Sequence, residues 1–301
     1  MTTGGSPQPR DSAPEGLDVR APLPPTGSRG SRILGGGSGA RSVWVAVAST
    51  LVFFGVAAIL IVTSPGWLRV KATFFDAAVF KKSFPLILEK FRINVFIFMV
   101  AEVIVLAWAM LLAVLRSLPG PVFAPLRLLA TAYTALFRAL PTILVISLLG
   151  FGMPALGLQG LPKSEIFWAI VALVLVYSAY VAEVYRAGIE SVHPSQTAAA
   201  RSLGLDRRKT LRFVVLPQAV RRVIPPLLND FIGLQKDSAL VGVIGVVDSL
   251  STADIRSAAA FDYTPYLALA LIYVVITIPM TVWVDWLIKR ERGRTQAGGR
   301  L

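Results

Sequence analysis

The chain has 301 residues, a net charge of +13 and a mean hydropathy of +0.67, with 55% hydrophobic and 16% charged residues. This composition is too apolar for an ordinary soluble domain and predicts a polytopic membrane protein. The absence of cysteine excludes disulfides, thiolate metal sites and cysteine nucleophiles, and a single histidine gives no basis for a histidine-based metal or catalytic site.

The N-terminal part of the chain has two sections. Residues 1–42 are rich in Pro, Gly, Ser and Arg, which is typical of a disordered tail. Residues 43–62 carry no charge and are long enough, at about 30 Å, to cross a bilayer as a helix. A signal peptide is the competing interpretation, but its apolar region would be shorter and no clear cleavage site follows.

Further apolar stretches predict five more spans. Residues 63–92 connect the first span to the second and include a Phe-rich, basic segment that we expect to lie on the membrane surface. The predicted spans are 93–115, 128–149, 166–182, 223–247 and 264–287. Arg138 and Pro141 interrupt the span 128–149, and the part of the chain after Asp237 fits either a crossing or a short helix that lines a cavity.

The basic residues predict the orientation. If the N-terminus is cytoplasmic, most of the 30 Lys and Arg residues fall on the cytoplasmic side, including those of the polar loop at about 184–222 and of the C-terminal tail 289–301. The sequence therefore predicts a cytoplasmic loop and two cytoplasmic termini.

The polar loop contains a helix–glycine–helix pattern. Residues 195–203 favour a short helix with small side chains, and Gly204 is placed to stop it. Asp206 can cap a second helix that begins at Arg207, and Pro217 is expected to bend it. A solvated connector is the plainer interpretation of this loop.

An ordered set of motifs argues against the plainer interpretation. They are EVYRAGIESV at 183–192, AARSLGL at 199–205, LPQA at 216–219, PPLLNDFI at 225–232, KDSAL at 236–240 and FRALPT at 137–142. In their order along the chain, these motifs resemble the membrane-spanning permease subunits of ABC importers, specifically the polar amino acid uptake group. The resemblance covers roughly residues 93–289 and leaves out the tail and the first helix.

The resemblance implies an all-α integral membrane protein with a type I ABC importer-like permease core of five transmembrane helices at 93–288, plus one extra N-terminal transmembrane helix. It implies that the polar loop forms a coupling helix that docks on a cytoplasmic ATPase. The implied coupling residues are Ala198, Ala199, Ala200, Arg201, Gly204, Leu216 and Pro217. The family usually has Glu where this chain has Ala198, which leaves the strength of that contact open.

The resemblance also implies partners. The chain has no phosphate loop of the G-x-x-x-x-G-K-[ST] type, so it is not expected to be an enzyme or to bind a cofactor, and ATP and Mg belong on a separate ATP-binding cassette subunit. An extracytoplasmic substrate-binding protein, a second permease subunit and membrane lipid are the other expected partners, with no nucleic acid. The expected location is the cell membrane.

Polar residues at membrane depth are candidates for the substrate path or its gate, because a charge there faces a bundle interior, a partner or water. The candidates are Glu102, Arg138, Glu183, Asn229, Lys236, Asp237 and Ser238. The structural alternative is an internal ion pair of Glu102 with Arg138 and a local pair of Glu183 with Arg186.

Three aspartates lie shortly before the last predicted span. We expect Asp248, Asp254 and Asp262 to be solvated in an outer connection before the last helix, where a substrate-delivering protein would dock in the family. An ion-coupled secondary transporter and a membrane scaffold subunit remain as alternatives, although no internal repeat of the kind found in many secondary transporters is seen.

Overall fold

The computed structural model describes the backbone of residues 39–297 and the side chains of residues 43–290. Within these residues all regular structure is helical, which confirms the predicted all-α class. The predicted tail lies almost wholly outside the described residues, as do the last four residues of the C-terminal tail. Two compact units divide at Ser64, and helix α1 (Gly39–Val62) contains the predicted uncharged span of the first unit.

The second unit begins at Pro65 and is a bundle of helices. Its α-helices are α2 (Trp67–Phe74), α3 (Ala77–Ser117), α4 (Ala124–Ala139), α5 (Thr142–Ala155), α6 (Glu165–Glu190), α7 (Pro194–Ser202), α8 (Arg207–Thr210), α9 (Leu216–Asp237), α10 (Ser249–Ala260) and α11 (Thr264–Ala297). By length and composition, α1, α3, α6 and α11 can each cross a membrane, and two bent helix pairs can supply two further spans. The predicted number of six is therefore compatible with the described residues.

The long helix α3 begins earlier than the sequence predicted. Asp76 caps it by accepting hydrogen bonds from the amides of Ala78 (2.7 Å) and Val79 (3.0 Å), and the helix then continues for 41 residues, about 60 Å. Residues 77–92 are thus continuous with the span, not a separate surface helix. The reason is packing, since Ile87 and Phe91 are buried against residues of α10 and α11.

The predicted span 128–149 is a bent pair of helices. Helix α4 ends at Ala139, α5 begins at Thr142, and their axes differ by 102°. Pro141 lies at the break, where its missing N–H costs no helical hydrogen bond. The break predicted at Arg138 and Pro141 is confirmed, but it turns the chain sharply instead of only interrupting a straight crossing.

Helix α9 leads from the polar loop into the bundle. A π-helical turn at Leu211–Val215 joins α8 to α9, and Pro217 lies in the first turn of α9. After Asp237 a 3₁₀ helix follows, Ser238–Ile244, which ends at Gly245 in the left-handed conformation (φ +95°). Of the two alternatives for the chain after Asp237, a crossing or a short helix, the structure has the short helix.

Small residues let the central helices pack closely. Ala101, Val105 and Ala109 of α3 are fully buried in the same core cluster as Ala169 and Ala172 of α6. Without a strong hydrophobic drive in lipid, van der Waals packing between such small side chains holds helices together.

Gly188 fixes the packing of α6 against α9, and its replacement is expected to be destabilising. A β-carbon at Gly188 would collide with the Val223 side chain. We expect Gly188→Ala to cost about 1–3 kcal/mol of stability through overpacking. Thermal unfolding in detergent measures the loss, and the double variant Gly188→Ala/Val223→Ala should recover most of it. No recovery would contradict the packing explanation.

Candidate functional site

The polar loop folds as predicted into a helix, a glycine stop and a second helix. Gly204 donates its amide to the carbonyl of Arg201 (3.0 Å), and Leu205 donates to the carbonyl of Ala200 (3.2 Å). These are the two hydrogen bonds of a Schellman motif, with Gly204 in the left-handed conformation at φ +82°. Asp206 then caps α8 by accepting from the amide of Lys209 at 2.8 Å, as predicted.

The reason for glycine at position 204 is its backbone conformation. Within the chain, a β-carbon at this residue would meet no atom within 4 Å, so space alone does not require glycine. A positive φ does, because it crowds a β-carbon against the backbone. A side chain at position 204 would project from an exposed surface.

Side-chain exposure divides the predicted coupling residues. Ala198, Ala199 and Arg201 are exposed on α7, whereas Ala200 is only 5% exposed and faces the chain's own interior. Ala200 therefore cannot belong to an external contact surface, because successive residues of a helix point in different directions. On the following segment, Leu216 and Pro217 are exposed.

Helix α7 is attached to α9 by side chains. Gln218 of α9 donates from Nε2 to the side-chain oxygen of Gln196 in α7 (3.1 Å) and to the carbonyl of Val214 (3.0 Å). Arg222 of α9 also donates to the carbonyl of Ser191, just before α7. Helix α7 and the segment before it are therefore connected to α9 by side-chain hydrogen bonds.

Glu183 holds three helices together at one end of the bundle. Its carboxylate accepts from Arg116 of α3 at 2.8 Å and from Arg186 of its own helix at 2.6 Å, and Arg138 of α4 lies 3.7 Å away. The predicted local pair of Glu183 with Arg186 is confirmed. The predicted pair of Arg138 with Glu102 is wrong, because Arg138 lies beside Glu183 instead.

Glu102 faces other acidic and polar groups instead. Asp230 of α9 and Tyr185 of α6 lie near it, and it makes no ion pair with any side chain that the structure describes. One oxygen of Asp230, Oδ2, is buried without a hydrogen-bond partner among the same residues. Among the described residues, these two neighbouring carboxylates therefore have no cation within ion-pair distance.

A second polar group surrounds the end of α9. The Tyr177 hydroxyl donates to Asp237 Oδ2 at 2.9 Å, and Gly233 leaves room for that hydroxyl. Lys236 and Asn229, seven residues apart, are both exposed along α9. Lys236 and Asp237 thus point to different sides, as the sequence predicted.

Ser238 is part of a buried network and does not line an open path. It is 1% exposed, its hydroxyl donates to the carbonyl of Gln235 (2.7 Å), and its own carbonyl accepts from Asn94 Nδ2 (2.9 Å). The same Asn94 nitrogen donates to Asp248 Oδ2 at 2.7 Å, and the Ser249 hydroxyl donates to Asn94 Oδ1 at 2.8 Å.

Two of the three aspartates before the last helix were predicted incorrectly. Asp248 is fully buried and caps α10 by accepting from the amide of Ser251 at 2.9 Å, and Asp262 is only 7% exposed. The supposed connection is largely helix α10, so two of these carboxylates are structural groups instead of solvated charges. Asp254 alone of the three is exposed.

Sequence comparison assigns the chain to a known group. A family model described as binding-protein-dependent transport system inner membrane component matches residues 120–293. The probable glutamine ABC transporter permease protein GlnM of Bacillus subtilis is 39% identical over 64% of this chain and 88% of its own length. The glutamate/aspartate import permease protein GltK of Escherichia coli is 33% identical over 72% of this chain and 98% of its own length.

Solved structures agree with the sequence matches. An amino acid ABC transporter crystallised with histidines aligns with a TM-score of 0.65 and 31% identity over 71% of this chain and 98% of that chain. The MetNI methionine ABC transporter, at 16% identity and a TM-score of 0.56, shares the fold. The chain has the type I permease fold, is a multi-pass membrane protein and not an enzyme, and belongs to the family of binding-protein-dependent transport system inner membrane components.

Proposed function

We propose that this protein is the membrane-spanning permease subunit of an ATP-driven importer and that it translocates a polar amino acid by alternating access. The α7–Gly204–α8 element carries this proposal. This element is exposed, and helix α7 ends at Gly204, whose positive φ favours glycine. Gln218 connects α7 to α9 by a hydrogen bond. The permease relatives, which are named for glutamine and for glutamate and aspartate, support an amino acid as substrate.

The proposed partners follow from this assignment. A cytoplasmic ATP-binding cassette subunit, which holds ATP and Mg, docks on the exposed residues of α7. A second permease subunit completes the path, and an extracytoplasmic binding protein delivers the substrate. In this assembly the complex lies in the plasma membrane, and both termini of the permease are cytoplasmic.

The polar groups at membrane depth suit a zwitterionic substrate. Arg138 and Lys236 are exposed cations that suit the carboxylate of a substrate. The carboxylates of Asp237, Glu102 and Asp230 suit its ammonium group. We propose that these residues, with Asn229, line the substrate path or its gate. We also propose that Glu183 belongs to the gate, where it holds Arg116, Arg138 and Arg186. We propose that Ser238, which is buried and hydrogen-bonded to the carbonyl of Gln235, stabilises the end of α9 next to the path.

Purification tests the proposed assembly. The protein is extracted from its native membrane in mild detergent, and the preparation is assayed for an ATPase that responds to amino acids together with the binding protein. We expect a co-purifying ATPase with stimulated activity. An intact complex without any ATPase, shown by size analysis, would contradict the proposal.

The alanine at position 198 gives a second prediction. Ala198 is exposed in the described structure, so a longer side chain meets no steric barrier within the chain. We expect Ala198→Glu to keep or tighten ATPase association, because it supplies the carboxylate that the resemblance to the permease family implies at this position. Co-purification at increasing salt measures it, with Ala187→Glu, an exposed alanine outside α7, as the control. Loss of the complex in Ala198→Glu alone would mean a different partner geometry.

A further inference from the structure

A basic cavity opens where α3 and α6 end and α4 begins. Its volume is about 470 Å³, and its charged lining consists of Arg116, Arg127, Arg186 and Glu190. All of these lie within about one turn of a helix end. Because α6 has 26 residues, about 39 Å, which matches the thickness of a bilayer with its headgroups, its ends lie near the level of the lipid headgroups.

The cavity has an excess of positive charge. Glu183 and Glu190 are shared among Arg116, Arg138 and Arg186. Arg127 has no acidic partner among the described side chains, and its Nη1 donates instead to the carbonyls of Leu118 and Gly120, both at 2.7 Å. Four guanidinium groups therefore face two carboxylates, and the remaining donors of Arg127 are free to bind an anion.

An apolar surface lies directly beside this charge. Leu128, which also lines the cavity, is 70% exposed, and the neighbouring Leu129 is 67% exposed. Further along α4, Leu136 is 55% exposed. A free anion would use the arginines alone, whereas a lipid uses both surfaces, since its headgroup is anionic and its chains are apolar.

We propose that this cavity binds an anionic phospholipid. The phosphate lies against Arg127 in the field of Arg116 and Arg186, and an acyl chain runs along Leu128 and Leu129. The lipid compensates the charge that Glu183 and Glu190 leave unbalanced. This inference does not depend on which solute the protein transports.

Lipid competition tests the proposal. The purified complex is stripped of lipid in detergent and incubated with equal amounts of phosphatidylglycerol and phosphatidylcholine, and the retained lipids are measured by mass spectrometry. We expect the wild type to retain more phosphatidylglycerol, and Arg127→Gln to reduce that preference by roughly fivefold, as about 1 kcal/mol per basic residue implies. Arg221→Gln, an exposed arginine outside the cavity, is the matched control and should keep the preference.

Three results would overturn the proposal. One is equal retention of the two lipids by the wild type, as expected if a second protein subunit covers the cavity. Another is an unchanged preference in Arg127→Gln. The third is full displacement of the phosphatidylglycerol by inorganic phosphate at matched ionic strength, which would identify a free-anion site. If Arg127→Gln does not fold, Leu128→Glu replaces it, because the new carboxylate at the edge of the cavity repels the headgroup.

Discussion

Gly204→Glu is expected to abolish uptake while the protein remains in the membrane. Gly204 has a φ of +82°, and a residue with a β-carbon in such a conformation costs about 1–3 kcal/mol. The Schellman motif that sets the angle between α7 and α8 is then distorted. The new carboxylate also projects from the exposed surface on which we propose that the ATPase docks. Because ATP-driven uptake requires the docked ATPase, we expect the uptake rate to fall to the background of membranes that lack the permease.

Gly160 provides a matched control. It has a φ of +90°, is exposed, and has no neighbour that a β-carbon would meet, but it lies in the loop between α5 and α6, away from α7. Gly160→Glu therefore carries similar backbone strain without touching the coupling element. Uptake and membrane abundance are measured for both variants. Normal uptake by Gly204→Glu, or equal loss in both variants, would contradict the coupling role.

Glu183→Gln is expected to destabilise the end of the bundle and to reduce uptake. The substitution leaves the Arg116 side chain, which is 12% exposed, without its acidic partner at 2.8 Å. Breaking a buried ion pair by removing one partner costs about 3–5 kcal/mol. Glu183 is 23% exposed, so solvent screens part of that cost and we expect about 1–3 kcal/mol.

A control and a rescue separate this explanation from a general effect of lost charge. Glu190 also contacts Arg186, at 2.8 Å, but it is 58% exposed, so Glu190→Gln should change the melting temperature little. The double variant Glu183→Gln/Arg116→Met removes both charges and should recover stability. A Glu183→Gln protein as stable as Glu190→Gln would show that the three-helix contact contributes nothing.

Local signals in the sequence were enough to predict the helix–glycine–helix pattern of the polar loop. Gly204 and Asp206 act on backbone groups within five residues of themselves, so their roles follow from spacing alone. The uncharged stretch 43–62 and the break at Pro141 are local in the same sense. The inward direction of Ala200 was not predicted, because it depends on how α7 rests on the following segment.

Contacts between distant residues could not be predicted in this way. Glu183 and Arg116 are 67 positions apart, and Asn94 and Asp248 are 154 apart. No periodicity in the sequence connects them, so Asp248 was predicted to be solvated although it is fully buried. The early start of α3 has the same origin, since packing against α10 and α11 draws residues 77–92 into the bundle.

The most direct test of the account is uptake by the reconstituted complex. The permease is placed in liposomes with its co-purified ATPase, its binding protein is added outside, and ATP is enclosed. Accumulation of a labelled amino acid is then measured with ATP, without ATP, and with ATP plus an ionophore. We predict uptake that requires ATP and survives collapse of the ion gradient. Uptake that continues without ATP but disappears with the ionophore would contradict the account and identify an ion-coupled transporter.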